Sequence, residues 1–260
     1  MGRTNHSSSR STSTPEPGSV IYGRNPVREA MRGRRRASVR ETWATERAAR
    51  EPWLAGHRLR IATAAELTER CGTSDHQGVC ARADPYPYAD AGRLLGGRDP
   101  LVVVLDHVED PQNLGSICRT AECAGVTGLV IHERRSATVT PAVCKASAGA
   151  VEHLAVAKVR NIADFLAAAK RGGCWCYGAA APAPGAAAGV GYDAPDYSGG
   201  VVLVLGSEGG GLRPRVADAC DQLIALPLLG KVESLGVSAA CAAILYEILQ
   251  QRAVLLDKQS

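Results

Sequence analysis

Three stretches of this 260-residue chain combine side chains and glycines at spacings that suit a ligand site. The first, Asp106-His107-Val108-Glu109-Asp110-Pro111-Gln112-Asn113-Leu114-Gly115, follows an apolar run and leads into a helical pattern bearing Arg119. The second, Gly206-Ser207-Glu208-Gly209-Gly210-Gly211, follows another apolar run. Its glycines let the backbone approach a ligand closely, and Glu208 suits a ribose hydroxyl or a cation. The third runs from Gly230 through Lys231, Ser234 and Gly236 to Ser238 and opens a helix, so it offers unpaired N–H groups and hydroxyls to polar or anionic atoms. None fits the phosphate loop Gly-x-x-x-x-Gly-Lys-Ser/Thr or the dinucleotide pattern Gly-x-Gly-x-x-Gly, which argues against ATP and NAD. His76 has no second ligand nearby in sequence and reads as a turn or structural histidine.

Loops of this kind need a sheet behind them. Leu101 to Leu105 is too short for a helix core and too continuous for a half-exposed strand, so it reads as a strand buried on both faces. Similar runs recur at 128–131, 174–177, 201–205 and 223–226, separated by helical patterns at 115–124, 141–149, 162–170 and 213–219. Such alternation predicts a parallel α/β sheet covered on both sides, with ligands beyond the carboxyl ends of its strands. Val237, Ala240, Cys241, Ile244, Leu245, Ile248 and Leu249 mark a closing helix, and its last four apolar residues predict a face wide enough for a second copy of the chain. The Ala/Pro/Gly run at 178–191 reads as a flexible surface loop.

Upstream, residues 1–18 have no apolar anchor and predict a disordered tail. Residues 19–84 read as a small α/β domain: a strand at 20–22, a helix opened by Pro26 and closed by Gly33, apolar periodicity through Trp43, Trp53 and Leu59 to Cys71, and a strand from His76 to Ala81. Residues 85–99, with Pro85, Pro87 and several glycines, form the expected linker to a second domain at 100–260.

Net charge is only +4, yet residues 24–60 hold eleven Arg against four Glu and no Lys. That concentration suits a polyanion, with Arg24 and the run Arg34-Arg35-Arg36 as candidate phosphate contacts, although a solvated basic face has the same composition. Nine cysteines contain no Cys-x-x-Cys pair, and Cys174-Trp175-Cys176 lacks a second pair, so no metal site is expected. The odd count and the lack of a signal-peptide pattern predict reduced thiols and a cytoplasmic location. No stretch approaches the roughly twenty apolar residues of a membrane helix.

Taken together and in order, the three loops resemble the SPOUT class of RNA methyltransferases, and within it the SpoU branch of ribose 2′-O-methyltransferases. The matching residues are Asn113-Leu114-Gly115 with Arg119-Thr120, Gly206-Ser207-Glu208-Gly209, and Leu226-Pro227 through Gly230, Ser234-Leu235 and Val237-Ser238. Tyr22-Gly23, Val27, Glu29-Ala30 and His76-Gln77-Gly78 look more loosely like the small RNA-binding domain of bacterial large-subunit rRNA guanosine methyltransferases in that branch. The resemblance implies a trefoil knot in the C-terminal domain, a homodimer with sites built from both protomers, and S-adenosylmethionine as methyl donor. It implies cofactor contacts from Leu205, Gly206, Gly209, Leu226, Leu228, Gly230, Ser234, Leu235 and Gly236. Arg119 would orient the ribose hydroxyl and a phosphate, Asn113 and Ser238 would position substrate, and Glu208 would stabilise the loops. The expected substrate is a guanosine of 23S rRNA; a tRNA or antibiotic-resistance rRNA target, or a catalytically silent RNA-binding protein, are the alternatives. Related sequences usually carry Asn where this chain has Gly236.

Overall fold

The computed structural model describes residues 19–180, 189–232 and 234–259, with side chains described as far as residue 253. Residues 1–18, the expected tail, and most of the 178–191 run lie outside the described residues.

The small domain runs β1 (Ser19–Tyr22), α1 (Arg24–Ala30), β2 (Glu41–Ala44), β3 (Leu59–Ile61), α2 (Ala64–Cys71) and β4 (Val79–Ala83). Its sheet has the order β1-β4-β2-β3. Two of these strands escape sequence periodicity: β2 and β3, four and three residues long, are too short to show a period of two. α2 is well signalled, because Thr63 and Glu66 form a reciprocal capping box and Gly72 closes the helix in the left-handed region. The His76-Gln77-Gly78 stretch is a turn before β4 rather than its beginning. His76 is buried there, accepting from Gly78 N at Nδ1 (3.0 Å) with Nε2 3.2 Å from Thr68 Oγ1, and Gln77 Oε1 accepts from Arg24 N at the start of α1. The motif is a structural corner.

The second domain runs β5 (Leu101–Asp106), α3 (Pro111–Cys123), β6 (Gly128–His132), α4 (Pro141–Ala146), β7 (Val156–Val159), α5 (Ile162–Arg171), β8 (Trp175–Ala179), β9 (Val190–Gly191), β10 (Val201–Gly206), α6 (Pro214–Ala217), β11 (Gln222–Ala225) and α7 (Val237–Gln259). Its seven strands lie in the order β7-β6-β5-β10-β8-β11-β9, and every pair is parallel. β5, β6 and β10 are buried on both faces as expected, whereas only Ile224 of β11 is buried and Trp175, at the start of β8, is 57% exposed. Leu101, Val103 and Leu105 join one core with Leu114, Ile117, Ile244 and Leu245, while Val102 and Val104 join a second core with Phe165 and Leu166.

Several boundaries differ from those read in the sequence. α3 starts at Pro111 rather than Gly115, because Asp110 caps it by accepting from Gln112 N and Pro111 needs no donor at the first position; Asn113 is therefore in its first turn. β11 ends at Ala225, which leaves Leu226 in the following loop. The sequence carries no signal for β7, and β9, which pairs with β11, falls at the end of the run read as a surface loop. The face that Ile244, Leu245 and Ile248 were expected to offer to a second copy is already used: all three are buried within the single chain.

Residues 85–99 are not a free tether. Ala89 N donates to Val156 O (2.8 Å), Val139 N donates to Tyr88 Oη (2.9 Å), Tyr86 Oη donates to Leu154 O, and Leu94 is buried in a short 3-10 turn. Behind this strap the domains share one apolar core, with Ile21, Val27 and Ala81 beside Val143, Val151 and Leu154. At that joint Arg35 forks onto Glu152, with Nε 2.9 Å from Oε2 and Nη2 on Oε1, and Arg34 N donates to Glu152 O (2.7 Å). Arg35 is 3% exposed and Glu152 fully buried. Burial alone would lower the Arg35 pKa, but the hydrogen bond and charge of Glu152 outweigh it and raise it.

Removing one partner of such a pair strands a charge in the interior, which typically costs about 3–5 kcal/mol, whereas replacing both by apolar groups is often near neutral. Glu152→Ala is expected to lose that much in urea unfolding, and Arg35→Met with Glu152→Leu to recover most of it. Equal losses in both variants would show that the ion pair is not what secures the joint.

Candidate functional site

The carboxyl ends of the central strands carry the site. β5 and β10 pair in register from Leu101↔Val201 to Asp106↔Gly206, so the first two loops leave the sheet side by side. Asp106 is fully buried; its Oδ1 accepts from Arg213 Nε (2.8 Å) and its Oδ2 from Arg213 N (3.0 Å). Arg213 follows the second loop, so this clamp draws the two ends of that loop together. Within it Ser207 N donates to Gly211 O (3.1 Å) and Gly211 N to Ser207 O (2.9 Å). A Cβ at Gly206 would overlap the Gly211 carbonyl, so the turn closes only over glycine.

This folded loop and the loop after β11 enclose a cavity of about 630 Å³, within the range of small-molecule sites. Apolar walls come from Leu205, Ile224, Leu226, Leu228, Leu235 and Ile244, and polar groups from Ser207, Glu208, Lys231, Ser234 and backbone. Gly236 sits at φ +83°, and a Cβ there would lie 3.5 Å from Glu208 Oε1, so the two loops meet at Glu208. Ser234 Oγ accepts from Gly236 N (3.3 Å).

Leu205, Gly206, Gly209, Leu226, Leu228, Gly230, Ser234, Leu235 and Gly236 all line this one cavity, and so does Glu208. Arg119, Asn113 and Ser238 do not. Arg119 is on the exposed side of α3, with no ion pair within 4 Å among the described residues, while Asn113 and Ser238 are half-buried. The arginines expected to face a polyanion divide. Arg34 and Arg36 are exposed and Arg24 pairs with Glu51 (2.8 Å), but Arg35 is withdrawn into the interdomain ion pair and cannot reach RNA.

Sequence reasoning missed the Asp106–Arg213 clamp and the small wall residues Ala179, Ala180 and Ala240. An aspartate ending an all-buried strand is the one signal that could have pointed to the clamp, because such a carboxylate requires a partner. Beside it His107, at φ +60°, packs edge-on against His132 with centroids 5.3 Å apart. Desolvation, with Arg213 nearby, pushes its pKa below the ordinary value. No three His, Cys, Asp or Glu side chains cluster as a metal site among the described residues. No described helix is long and apolar enough to cross a membrane.

Comparison with known proteins bears on this geometry. Residues 100–246 match the model of the SpoU rRNA methylase family, and residues 20–89 match that of the RNA 2′-O ribose methyltransferase substrate-binding domain. An uncharacterised tRNA/rRNA methyltransferase of Synechocystis is 35% identical over 250 residues; the match covers 90% of this chain but only 62% of that protein, so the chain spans under two thirds of its length. A putative TrmH family tRNA/rRNA methyltransferase of Bacillus subtilis is 41% identical over 187 residues, covering 69% of this chain and 72% of the relative. The crystal structure of the SpoU methyltransferase AviRb from Streptomyces viridochromogenes superposes with a TM-score of 0.75 at 25% identity, covering 92% of this chain and 91% of that one. Its complex with AdoMet superposes equally well at 24% identity. A parallel sheet whose central loops close over one cavity, a substrate-binding domain ahead of it, and these matches place the chain in the SpoU family of RNA methyltransferases.

Proposed function

We propose that this chain methylates the 2′-hydroxyl of an RNA ribose with S-adenosylmethionine as donor, and that the target is a guanosine of 23S rRNA. One observation carries the reading: the loops matching the second and third family motifs, separate in sequence, line a single cavity through Gly206 to Gly209 and through Leu226, Leu228, Gly230, Ser234 and Leu235. The cavity suits the donor. Leucine and isoleucine walls accept an adenine ring, backbone in two tight loops offers directional hydrogen bonds, and the Glu208 carboxylate at the rim complements a sulfonium charge. When bound, S-adenosylmethionine supplies an electrophilic methyl group. The chain's own residues do the rest. The Gly206–Gly211 turn and the Gly230–Gly236 loop hold the donor and exclude water, which orients the reaction without metal or covalent intermediate.

Arg119 is assigned to the acceptor. A guanidinium is a poor base, so its role is to hold the ribose hydroxyl and a neighbouring phosphate in one planar fork and to stabilise the developing alkoxide, while the hydroxyl proton leaves to phosphate, water or a neighbouring side chain. Its exposed place on α3, outside the cavity of its own chain, favours a homodimer in which a second copy completes the site. Leu229 (99% exposed), Val232 and Leu235, at the cavity rim, give that copy an apolar surface to cover. The trefoil knot and the positioning roles of Asn113 and Ser238 belong to the same proposal. Mapping ribose methylation across rRNA and tRNA in a strain lacking the gene tests the target; a loss confined to tRNA would replace 23S rRNA.

Gly206→Ala is expected to weaken S-adenosylmethionine binding about tenfold or more in calorimetry, because the turn must open, while ATP and NAD give no heat with the parent chain. Silence toward all three ligands would favour the RNA-binding protein without catalysis. Arg119→Ala and Arg119→Lys should each lose at least about a hundredfold in single-turnover rate with cofactor affinity within a few-fold. Near-normal turnover in both would remove Arg119 from the chemistry. Sedimentation should give twice the 27.2 kDa chain mass; a monomer at micromolar concentration would count against shared sites.

A further inference from the structure

The small sheet has one face in the core shared with the second domain, through Ile21, Ala44 and Ala81, and an opposite face that α2 covers only in part. On that outer face the strand register sets Arg60 opposite Trp43 and Arg82 opposite Glu41. Trp43 is buried beneath guanidinium groups: Arg70, from α2, lies 4.7 Å from the ring centroid and Arg82 5.7 Å. Glu41 pairs with both Arg60 (3.1 Å) and Arg82 (3.5 Å). Arg70 makes no ion pair within 4 Å among the described residues, because Glu66, one turn earlier, accepts instead from Thr63 N and Oγ1. Two of the three arginines therefore share one carboxylate while Arg70 pairs with none among the described residues, and the Arg60 and Arg82 side chains are 63% and 48% exposed.

An ordinary solvated basic face consists of long side chains that must be ordered before they bind. Here two of the three forks are already laid against an indole, which lowers the entropy cost of engaging a ligand and leaves planar N–H edges available. Such edges match phosphate oxygens in pairs, and stacked guanidinium planes also accept unstacked bases. The Arg34–Arg36 run cannot compete on these terms, because its central member is buried against Glu152.

We propose that the outer face of the small sheet, Arg60, Arg70 and Arg82 around Trp43, is where this domain grips the phosphate backbone of RNA. The proposal rests on the RNA-methylating reading above and locates the substrate contact within it. The test uses the full chain, a 23S rRNA transcript and filter binding at a series of KCl concentrations. Replacing Arg60, Arg70 and Arg82 together by Gln should flatten the log–log salt slope by roughly two units, each lost phosphate contact contributing about 0.7–0.9. Arg34→Gln with Arg36→Gln should change it by less. Glu41→Gln removes the carboxylate that pairs with Arg60 and Arg82 and should tighten binding several-fold at low salt; should the triple variant fail to fold, this variant decides alone. An unchanged slope in a folded triple variant, a larger loss from the Arg34/Arg36 pair, or no tightening in Glu41→Gln overturns the proposal. Calorimetry with S-adenosylmethionine on the same samples separates the two readings. A parent chain that binds S-adenosylmethionine but shows no salt-dependent RNA binding overturns the face alone, and one that binds neither removes the enzymatic reading as well.

Discussion

The site depends on the burial of one carboxylate. Asp106 ends β5 with no exposure to solvent, and a lone charge in that position would cost several kcal/mol. Arg213 offsets this cost with its side-chain fork and its backbone N–H. Because Arg213 lies beyond the Gly206–Gly211 turn, satisfying Asp106 also sets where that turn must close. The turn in turn forms one wall of the cavity, and its closure leaves no room for a side chain at Gly206. Sheet register, charge pairing and cavity shape are thus one chain of causes that starts at Asp106↔Gly206.

The same physics acts at the joint between the domains, with a different outcome for function. Arg35 sits in a run of three arginines, the kind of cluster that advertises affinity for a polyanion. Its place beside Glu152 commits it to structure instead, under Tyr86 and against the Cys144 sulfur (3.2 Å). His153, next in sequence to Glu152, extends the contact with Nε2 2.9 Å from Glu29 Oε2. Burial would raise the pKa of Glu29, but hydrogen bonds from His153 and Arg28 outweigh it and hold the carboxyl below its ordinary value. The small domain is therefore docked through polar groups that are mutually satisfied and an apolar core held in common, a geometry that keeps the face proposed to bind RNA in a set relation to the cavity.

How much of this was legible in the sequence follows from the length scale of each signal. β5 and β10, each opening with five consecutive apolar residues, and the periodic helix after Gly236 stand out on their own. β3, with three residues, and β7, with four, carry too few positions to distinguish an alternating pattern from a loop. The start of α3 was legible in principle in Asp110-Pro111, a capping residue followed by the residue that tolerates the first helical position, yet the polar appearance of Gln112 and Asn113 suggests a loop. That the second and third loops line one cavity could be read only through likeness to known sequences, since no local rule brings Leu205 and Leu235 together. Arg119 and Ser238 were read the same way, and a single chain does not bring them to the cavity. The fate of Arg35 was not legible at all, because its partner lies 117 positions away and charge counts carry no information about burial.

Gly236 shows how a departure from the usual sequence can be read in backbone terms. At φ +83° the position lies in the left-handed region, where asparagine is the side chain tolerated best and glycine pays no steric cost. Either residue therefore preserves the path of the loop, and the cavity wall survives the change. What is lost is an amide that would have projected toward Glu208, since even a Cβ there comes within 3.5 Å of its carboxylate. Local restraints here include the hydrogen bond from Gly236 N to Ser234 Oγ and that from Ala240 N to Gly236 O. Glycine also gives up more backbone freedom on ordering than asparagine does, so the free loop is entropically favoured. The change thus leaves the geometry of the cavity proposed to hold the donor intact and shifts more of the cost of forming it onto binding of the donor.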